Sequence, residues 1–526
     1  MKKLLITALL TCGLGLSGCS DYLNILPNDK QTTDMFWTKS GDVESILGEG
    51  YYLMRTCVPS MIYWGELRGG SVITMGATSD NGKIQEFQAL ADNNKVKWET
   101  FYQVINMANL VLKYAPSVVD VDKSYSENAM KSHLTEAYFM RGLMYLYLVR
   151  NFKEVPLILE PYDTDEMNIE VPKSTEETIL AQIKADCNAA LTTNACREPN
   201  TRTWETKGRA TLWAIYSLLA ETCLWSGDYQ SCIDNADLVI NSSGSMRPAF
   251  LGTAGQWFEI FYTTAGIGSN ESIFEIMFDQ SISNNSSANS PTKFMEFNTT
   301  KSPTLLFSEK MTERLAEECL ESTEPNRSYW GSVAVGAGKQ PVCSTDFAEN
   351  AMIWRYVGMG VEDTQAARAG SGNDADANWI IYRMTDIMLM KAEALIFLGG
   401  EANWKEAVDI LNKIRTRSNQ KELPVNLSEI DTWGMLEMLL NERDMEMAAE
   451  GKRWYDLVRI AKQNNYEFKN NIMSLIIENK GESSAKWLRS VLSNNYAWYL
   501  PIHKDEISSN KLLIQNPYYD QTQTQN

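Results

Sequence analysis

Histidine and closely spaced cysteine are scarce in this 526-residue sequence, which has two His and no Cys-x-x-C pair. Structural and catalytic zinc sites are built mainly from such ligands, so we expect no zinc site and no cofactor. The seven cysteines that follow Cys19 are widely spaced and odd in number. They therefore do not resemble the dense, even set of a disulfide scaffold.

Clustered positive charge is also absent. The chain carries 48 Lys and Arg against 67 Asp and Glu, a net charge of −19, and no basic run stands out. Nucleic acid is therefore not an expected partner, because its phosphates need clustered cations. Beyond the first residues, no stretch is apolar for long enough to predict a membrane-spanning helix.

Familiar catalytic and calcium-binding motifs are missing as well. The sequence has no G-x-S-x-G, H-E-x-x-H or glycine-rich phosphate loop. Because the chain has 67 acidic residues, some pair of carboxylates is always available, and such a pair is not evidence of a hydrolase. Asp374, Asp376 and Asn378 imitate the start of an EF-hand, but Trp379 replaces the glycine and Thr385 replaces the final glutamate. We expect neither enzymatic activity nor a metal site.

The N-terminus has the features of a secretory signal peptide. Lys2 and Lys3 precede an apolar run over residues 4–16, which ends in Ser17-Gly18-Cys19. This ending resembles the lipobox of bacterial lipoproteins, in which the cysteine is lipidated. We predict a signal peptide over residues 1–18 and a lipid anchor on Cys19, the alternative being an ordinary signal peptide.

Helical periodicity dominates the rest of the chain and predicts a mainly α fold. The predicted helices span residues 96–114, 126–152, 175–191, 207–225, 228–240, 379–398, 404–417, 432–449 and 452–462. Two of the helical hairpins share a sequence pattern. A small residue in the first helix is followed by a glycine in the turn (Gly227, Gly399) and then by an aromatic residue (Tyr229, Trp404). This pattern is typical of tetratricopeptide pairs, in which Cys232 would be a buried free thiol.

The middle of the chain differs in composition. It is rich in Ser, Asn, Thr and Gly, with strand-like pieces at 272–278 and 352–357. We interpret residues 241–378 as a loop-rich insertion with short β-strands. It separates an N-terminal helical part, 19–240, from a C-terminal helical part, 379–526.

Six segments in order resemble the SusD/RagB family of outer-membrane lipoproteins over residues 19–526. They begin at Cys19-Ser-Asp-Tyr-Leu, Trp98, Ala137-Tyr-Phe-Met-Arg, Tyr382-Arg383, Asn441-Glu-Arg and Leu500-Pro-Ile. One departure is Thr385-Asp386, where the family usually has Ala-Glu. The charges Glu442, Arg443, Glu446, Glu450 and Arg453 recur at three- and four-residue steps, so we expect them to form a structural ion-pair network.

The resemblance implies a cell-surface protein of the outer membrane. Such proteins bind oligosaccharides or polysaccharides and deliver them to a SusC-type TonB-dependent transporter. The alternatives are an envelope scaffold that docks proteins on its tetratricopeptide-like pairs and, less favoured, a glycan hydrolase.

Glycan binding needs flat aromatic faces and polar side chains, because a sugar has apolar C–H faces and a rim of hydroxyls. We therefore looked for aromatic residues with polar neighbours in predicted loops. The candidate glycan-binding residues are Trp64, Asp80, Asn81, Trp257, Tyr262, Tyr329 and Trp330.

Overall fold

Long α-helices make up most of the structure, a computed structural model. It describes residues 36–164, 167–197, 203–244, 246–261, 269–278, 287–295, 304–321, 326–328, 353–358 and 377–520. The predicted signal peptide and Cys19 lie outside these ranges. Within them, no helix is long and apolar enough to cross a membrane. The prediction of a mainly α fold is confirmed.

Three long helices form the N-terminal part: α1 (Ser40–Glu66), α3 (Glu99–Val121) and α4 (Glu127–Phe152) pack side by side, with the short α2 (Asp80–Gln85) between them in sequence. The sequence predicts α3 and α4 but not α1, which contains Gly48, Gly50 and Pro59. Gly50 is required by packing, because a Cβ there would lie 2.9 Å from the sulfur of Met140 on α4. Tertiary contact therefore overrides weak helix propensity in α1.

The tetratricopeptide-like pairs follow. α5 (Glu176–Thr192) and α6 (Thr203–Gly208) precede the first pair, α7 (Leu212–Ser226) and α8 (Tyr229–Ile240). The second pair is α12 (Met384–Leu398) and α13 (Glu401–Arg417), and α8 packs directly on α12. Tyr229 stacks on Phe397 with the ring centroids 4.8 Å apart, and Cys232 is a buried free thiol, as predicted. The two repeats are thus neighbours in space.

Short strands and helices occur mainly between α8 and α12 in sequence, and further short strands lie in the N-terminal part. Strand β4 (Ser272–Ile276) pairs with β6 (Trp379–Arg383), and β5 (Leu305–Phe307) pairs with β1 (Val72–Thr74), all antiparallel. A third, two-residue pair joins β2 (Val155–Pro156) to β3 (Lys173–Ser174). The short helices here are α9 (Ala254–Trp257), α10 (Pro291–Met295) and α11 (Glu309–Leu320).

Two predictions for this region are wrong. Residues 379–383 form a strand rather than the first turns of a helix, because they pair with β4 and are buried on both faces. Residues 353–357 form a turn rather than a strand, and Met352 lies outside the described residues.

The C-terminal part contains α14 (Thr432–Glu446), α15 (Arg453–Tyr466), α16 (Lys469–Lys480), α17 (Ala485–Leu492), α18 (Lys504–Ser509) and α19 (Pro517–Asp520). The turn before α15 needs Gly451, whose φ is +72°. A Cβ on Gly65 of α1 would lie 2.1 Å from the carbonyl oxygen of Gly451. The end of α1 and the turn before α15 therefore meet here without space for a side chain.

The charges of the predicted ion-pair network are buried and paired, but among the described residues their partners lie outside the predicted set of five and not within it. Arg383 binds Glu446 and Glu450, with nitrogen–oxygen distances of 2.8 Å, and all three side chains are at most 1% exposed. Partners also come from the middle region, where Glu271 pairs with Arg383, Arg327 with Glu446, and Arg355 with Glu450. The network thus attaches the middle region to the C-terminal helices, since an unpaired buried charge would be strongly destabilising.

Candidate functional site

Two of the predicted ligand-binding aromatics belong to the core. Trp64 is fully buried in α1, stacks on Phe101 with centroids 4.9 Å apart, and donates its indole N–H to the Lys95 carbonyl. Trp257 is also fully buried, with its N–H 3.1 Å from Glu446 Oε1. The prediction that these two rings are surface loop aromatics is wrong. Their faces and donors are already used inside the protein.

The other predicted residues fall into two groups. Asp80 and Asn81 begin α2, where Asp80 Oδ2 accepts a hydrogen bond from Asn94 and Asn81 is 8% exposed. Tyr262, Tyr329 and Trp330 lie outside the described residues. A role for these five residues in ligand binding stays a prediction.

A polar groove opens beside the end of α2. Its volume is about 420 Å³, and it lies between α2, the start of α11 and the end of α16. We call it the α2–α16 groove. It is lined by Gly70, Ile73, Gln85, Glu86, Ser308, Glu309, Lys310, Glu313, Glu478, Asn479, Lys480 and Gly481.

An exposed tryptophan contacts a residue that lines this groove. Trp487 on α17 is 43% exposed and donates its indole N–H to the carbonyl of Glu86, a residue of the lining, at 3.0 Å. The apolar face of α17 is supplied instead by Leu488, Val491 and Leu492. Trp487 is therefore not needed in the core, and much of its ring is open to solvent.

Trp487 is not among the candidate residues predicted from the sequence, because those candidates are aromatics in predicted loops. A partial signal was available: in the segment Ala485-Lys-Trp-Leu-Arg-Ser-Val-Leu492, Leu488, Val491 and Leu492 form the apolar face, and Trp487 lies at its edge, four residues before Val491. A large aromatic at the edge of an apolar helix face, left 43% exposed, indicates a contact surface.

The groove has a surplus of negative charge. Glu86, Glu309, Glu313 and Glu478 line it with only two cationic side chains, Lys310 and Lys480. Lys480 donates to the carbonyl of Gln85 at 2.6 Å, and burial lowers its pKa to about 8. The groove thus offers many hydrogen-bonding groups and no net attraction for an anion.

Two further cavities offer less to a sugar. One, of about 490 Å³, lies beside α5 and α7, but its Trp213 is only 9% exposed. The other, of about 610 Å³, lies between α1, α3 and α18, and its Trp98 is 3% exposed. Neither tryptophan presents a broad ring face.

Comparison with known proteins places the chain in a family. The profile of the SusD family matches residues 327–519, and the profile described as starch-binding, associating with outer membrane, matches residues 21–224. The chain belongs to the SusD/RagB family. The two matched ranges include both helical parts, so the family assignment does not depend on one short motif.

Relatives agree with the SusD assignment along most of the chain. SusD-like protein P38 of Formosa agariphila is 25% identical over 88% of this chain and 92% of its own. A SusD superfamily structure from Bacteroides thetaiotaomicron has a TM-score of 0.69 at 22% identity, covering 92% of this chain and 99% of that one. Surface glycan-binding protein A of Bacteroides uniformis has a TM-score of 0.68 at 20% identity, covering 91% and 100%. The two structural likenesses establish a SusD-like fold.

Proposed function

We propose that this SusD-family protein binds neutral oligosaccharides in the α2–α16 groove, with Trp487 as the stacking surface. The observation that carries the proposal is the 43% exposure of Trp487 beside a polar groove. A relative of the same fold is a surface glycan-binding protein, which supports the ligand class.

The contacts available in the groove suit a sugar. One face of a pyranose ring carries C–H groups that pack on an indole, while its hydroxyls need donors and acceptors at the rim. Gln85, Asn479 and Lys480 each donate one hydrogen bond within the protein and have further N–H groups for a ligand, and the four glutamates supply acceptors. Each hydroxyl leaves water to bind, so its net contribution is only about 0.5–1.5 kcal/mol.

The charge of the groove selects neutral glycans. Four carboxylates against two lysines would repel sulfated or uronic-acid chains, since like charges brought together at a binding surface weaken association. We expect affinities in the micromolar to millimolar range, about −4 to −8 kcal/mol, and tighter binding of longer chains.

The protein would act by binding rather than by cleaving. We infer that lipid on Cys19 anchors it to the outer membrane, with the groove exposed at the cell surface. From there it would pass its ligand to a SusC-type TonB-dependent transporter. Weak binding suits this role, because the ligand must be released to the transporter.

Calorimetric titration with a panel of neutral and acidic oligosaccharides tests the proposal, with reducing ends assayed in parallel. Trp487→Ala should weaken binding of the preferred glycan by about three- to tenfold. The matched control is Tyr52→Ala, an aromatic 39% exposed outside the groove, which should bind like the wild type. Unchanged affinity of folded Trp487→Ala would overturn the site, and new reducing ends would indicate a hydrolase. Absence of binding to every glycan would favour a protein-docking scaffold.

A further inference from the structure

A second open cavity differs in chemistry from the α2–α16 groove. It holds about 610 Å³ between α1, α3, the loop after β2 and α18, and we call it the acidic cleft. Glu49 stands on α1, Glu99 on α3 and Glu506 on α18. None of its lining residues is Lys, Arg or His.

The three carboxylates lack a cationic partner. In the described part of the chain, Glu49, Glu99 and Glu506 take part in no ion pair. The neighbouring Lys97 is bound to Asp505 at 3.1 Å. Burial raises the pKa of Glu506, and repulsion from Glu99 and Asp505 adds to this effect. The cleft therefore holds a negative potential that the protein itself does not neutralise.

The walls of the cleft are mainly apolar and are held in place. Leu53, Met107, Pro156, Ile158 and Leu513 line it, and Ile169 stands at the edge with 57% of its surface exposed. Several hydrogen bonds fix the loop that carries Ile158 and Ile169, two of them from residues of the cleft lining. Asn106 Oδ1 accepts from the Tyr162 N–H at 2.7 Å, and Asn510 Nδ2 donates to the Val171 carbonyl at 2.7 Å.

A sugar would find carboxylate acceptors here but few free donors. The Tyr102 hydroxyl already donates to the Pro156 carbonyl at 2.8 Å, and Trp98 is 3% exposed. The amides of Asn106 and Asn510 are occupied by the loop. The cleft offers apolar surface next to carboxylates that accept hydrogen bonds, such as Glu99 from Gln103, but form no ion pair among the described residues, which suits a cation with an apolar neighbour.

We propose that the acidic cleft docks a segment of a partner protein in which Lys or Arg alternates with apolar residues. The cationic side chains meet Glu49, Glu99 and Glu506, while the apolar side chains pack on Leu53, Ile158 and Ile169. Successive side chains of an extended segment point to opposite sides. Its cationic side chains can therefore face the carboxylates while its apolar side chains face the apolar wall. This site is independent of the glycan groove.

The test uses the whole protein and an acetylated, amidated Lys-Leu octapeptide of alternating sequence. Calorimetry should detect binding that weakens as salt rises, and a Glu-Leu octapeptide should not bind. The double variant Glu99→Gln, Glu506→Gln should weaken binding by about tenfold. Its charge-matched control is Glu422→Gln, Glu429→Gln, which removes two exposed carboxylates elsewhere and should change nothing.

Further arms separate the apolar contact and the other possible occupants. Ile169→Ser, an exposed position that should not disturb folding, should also weaken the Lys-Leu peptide. Equal affinity of wild type and the Glu99/Glu506 variant, or no binding at all, would overturn the proposal. Binding of N-acetyl-lysine amide as tight as that of the octapeptide would also overturn the proposal, because it would indicate a site for a small cation. Sedimentation showing a dimer that Ile169→Ser dissociates would assign the cleft to a second copy instead.

Discussion

Arg443 and Asp386 form a buried ion pair, with Arg443 Nη2 2.9 Å from Asp386 Oδ1 and both side chains at most 1% exposed. Asp386 lies in the first turn of α12, and Arg443 lies near the end of α14. The pair therefore joins a tetratricopeptide-like helix to the C-terminal helices. Asp386 is also the position where this sequence departs from the usual Ala-Glu, and its carboxylate retains a cationic partner despite that change.

Arg443→Ala should lower the free energy of unfolding by about 3–5 kcal/mol. It would leave Asp386 and Asp456 buried with less positive charge beside them. Chemical denaturation measures the effect. Lys405→Ala, which breaks an exposed pair with Asp409, is the control and should cost at most about 0.5 kcal/mol. If both variants behaved alike, the buried network would not be a source of stability.

Glu66 should make stability depend on pH. Its carboxyl is 1% exposed, and burial, with help from Asp444 and Glu450, raises its pKa from 4.5 to about 8. Between these two pH values the folded protein holds a proton that the unfolded chain has released. The contribution of Glu66 to the free energy of unfolding is fully present below pH 4.5 and is lost as the pH rises toward 8. The free energy of unfolding then falls by at most about 1.4 kcal/mol per pH unit.

Glu66→Gln should flatten this slope. Denaturation of wild type and variant at pH 5, 6, 7 and 8 gives the difference, which should change steadily across the series. The same experiment with Glu422→Gln, an exposed carboxyl, should show a constant difference. A constant difference for Glu66→Gln too would mean that Glu66 is ionised in the folded protein.

Trp64→Ala should destabilise the fold rather than affect ligand binding. Truncating a fully buried tryptophan removes its packing on Phe101 and Phe152 and costs about 3–5 kcal/mol. Glycan affinity of the folded fraction should match the wild type. A loss of glycan affinity without a loss of stability would indicate that Trp64 contacts the ligand after all.

Cys19→Ala should release the protein from the membrane fraction, because lipid on this thiol is the predicted anchor. Fractionation of cells followed by a high-salt wash provides the measurement. Ser20→Ala, one residue away, should remain with the membranes. A Cys19→Ala protein that still sediments and resists salt would contradict the lipid anchor.

Periodicity and spacing predicted much of the scaffold but little of the candidate site. α4, α7 and α8 follow their apolar periodicity, and the Gly227 turn was visible in sequence. Helix α1 was not predicted, because its glycines and proline disfavour a helix and only tertiary contacts, such as that of Gly50 with Met140, show why the helix forms. The ligand site was harder, because helical periodicity places Trp487 only at the edge of an apolar face and does not tell how much of Trp64 or Trp487 is covered. Which one is exposed depends on packing between distant segments.

The contact between α8 and α12 has a consequence for how this chain can vary. α8 ends at Ile240 and α12 begins at Met384, so the intervening segment leaves and re-enters the helical stack at adjacent helices. Changing the length of such a segment costs little closure entropy, about 0.6 kcal/mol per doubling. Chimaeras that exchange this segment between relatives should fold, provided that Glu271, Arg327 and Arg355 keep their buried partners.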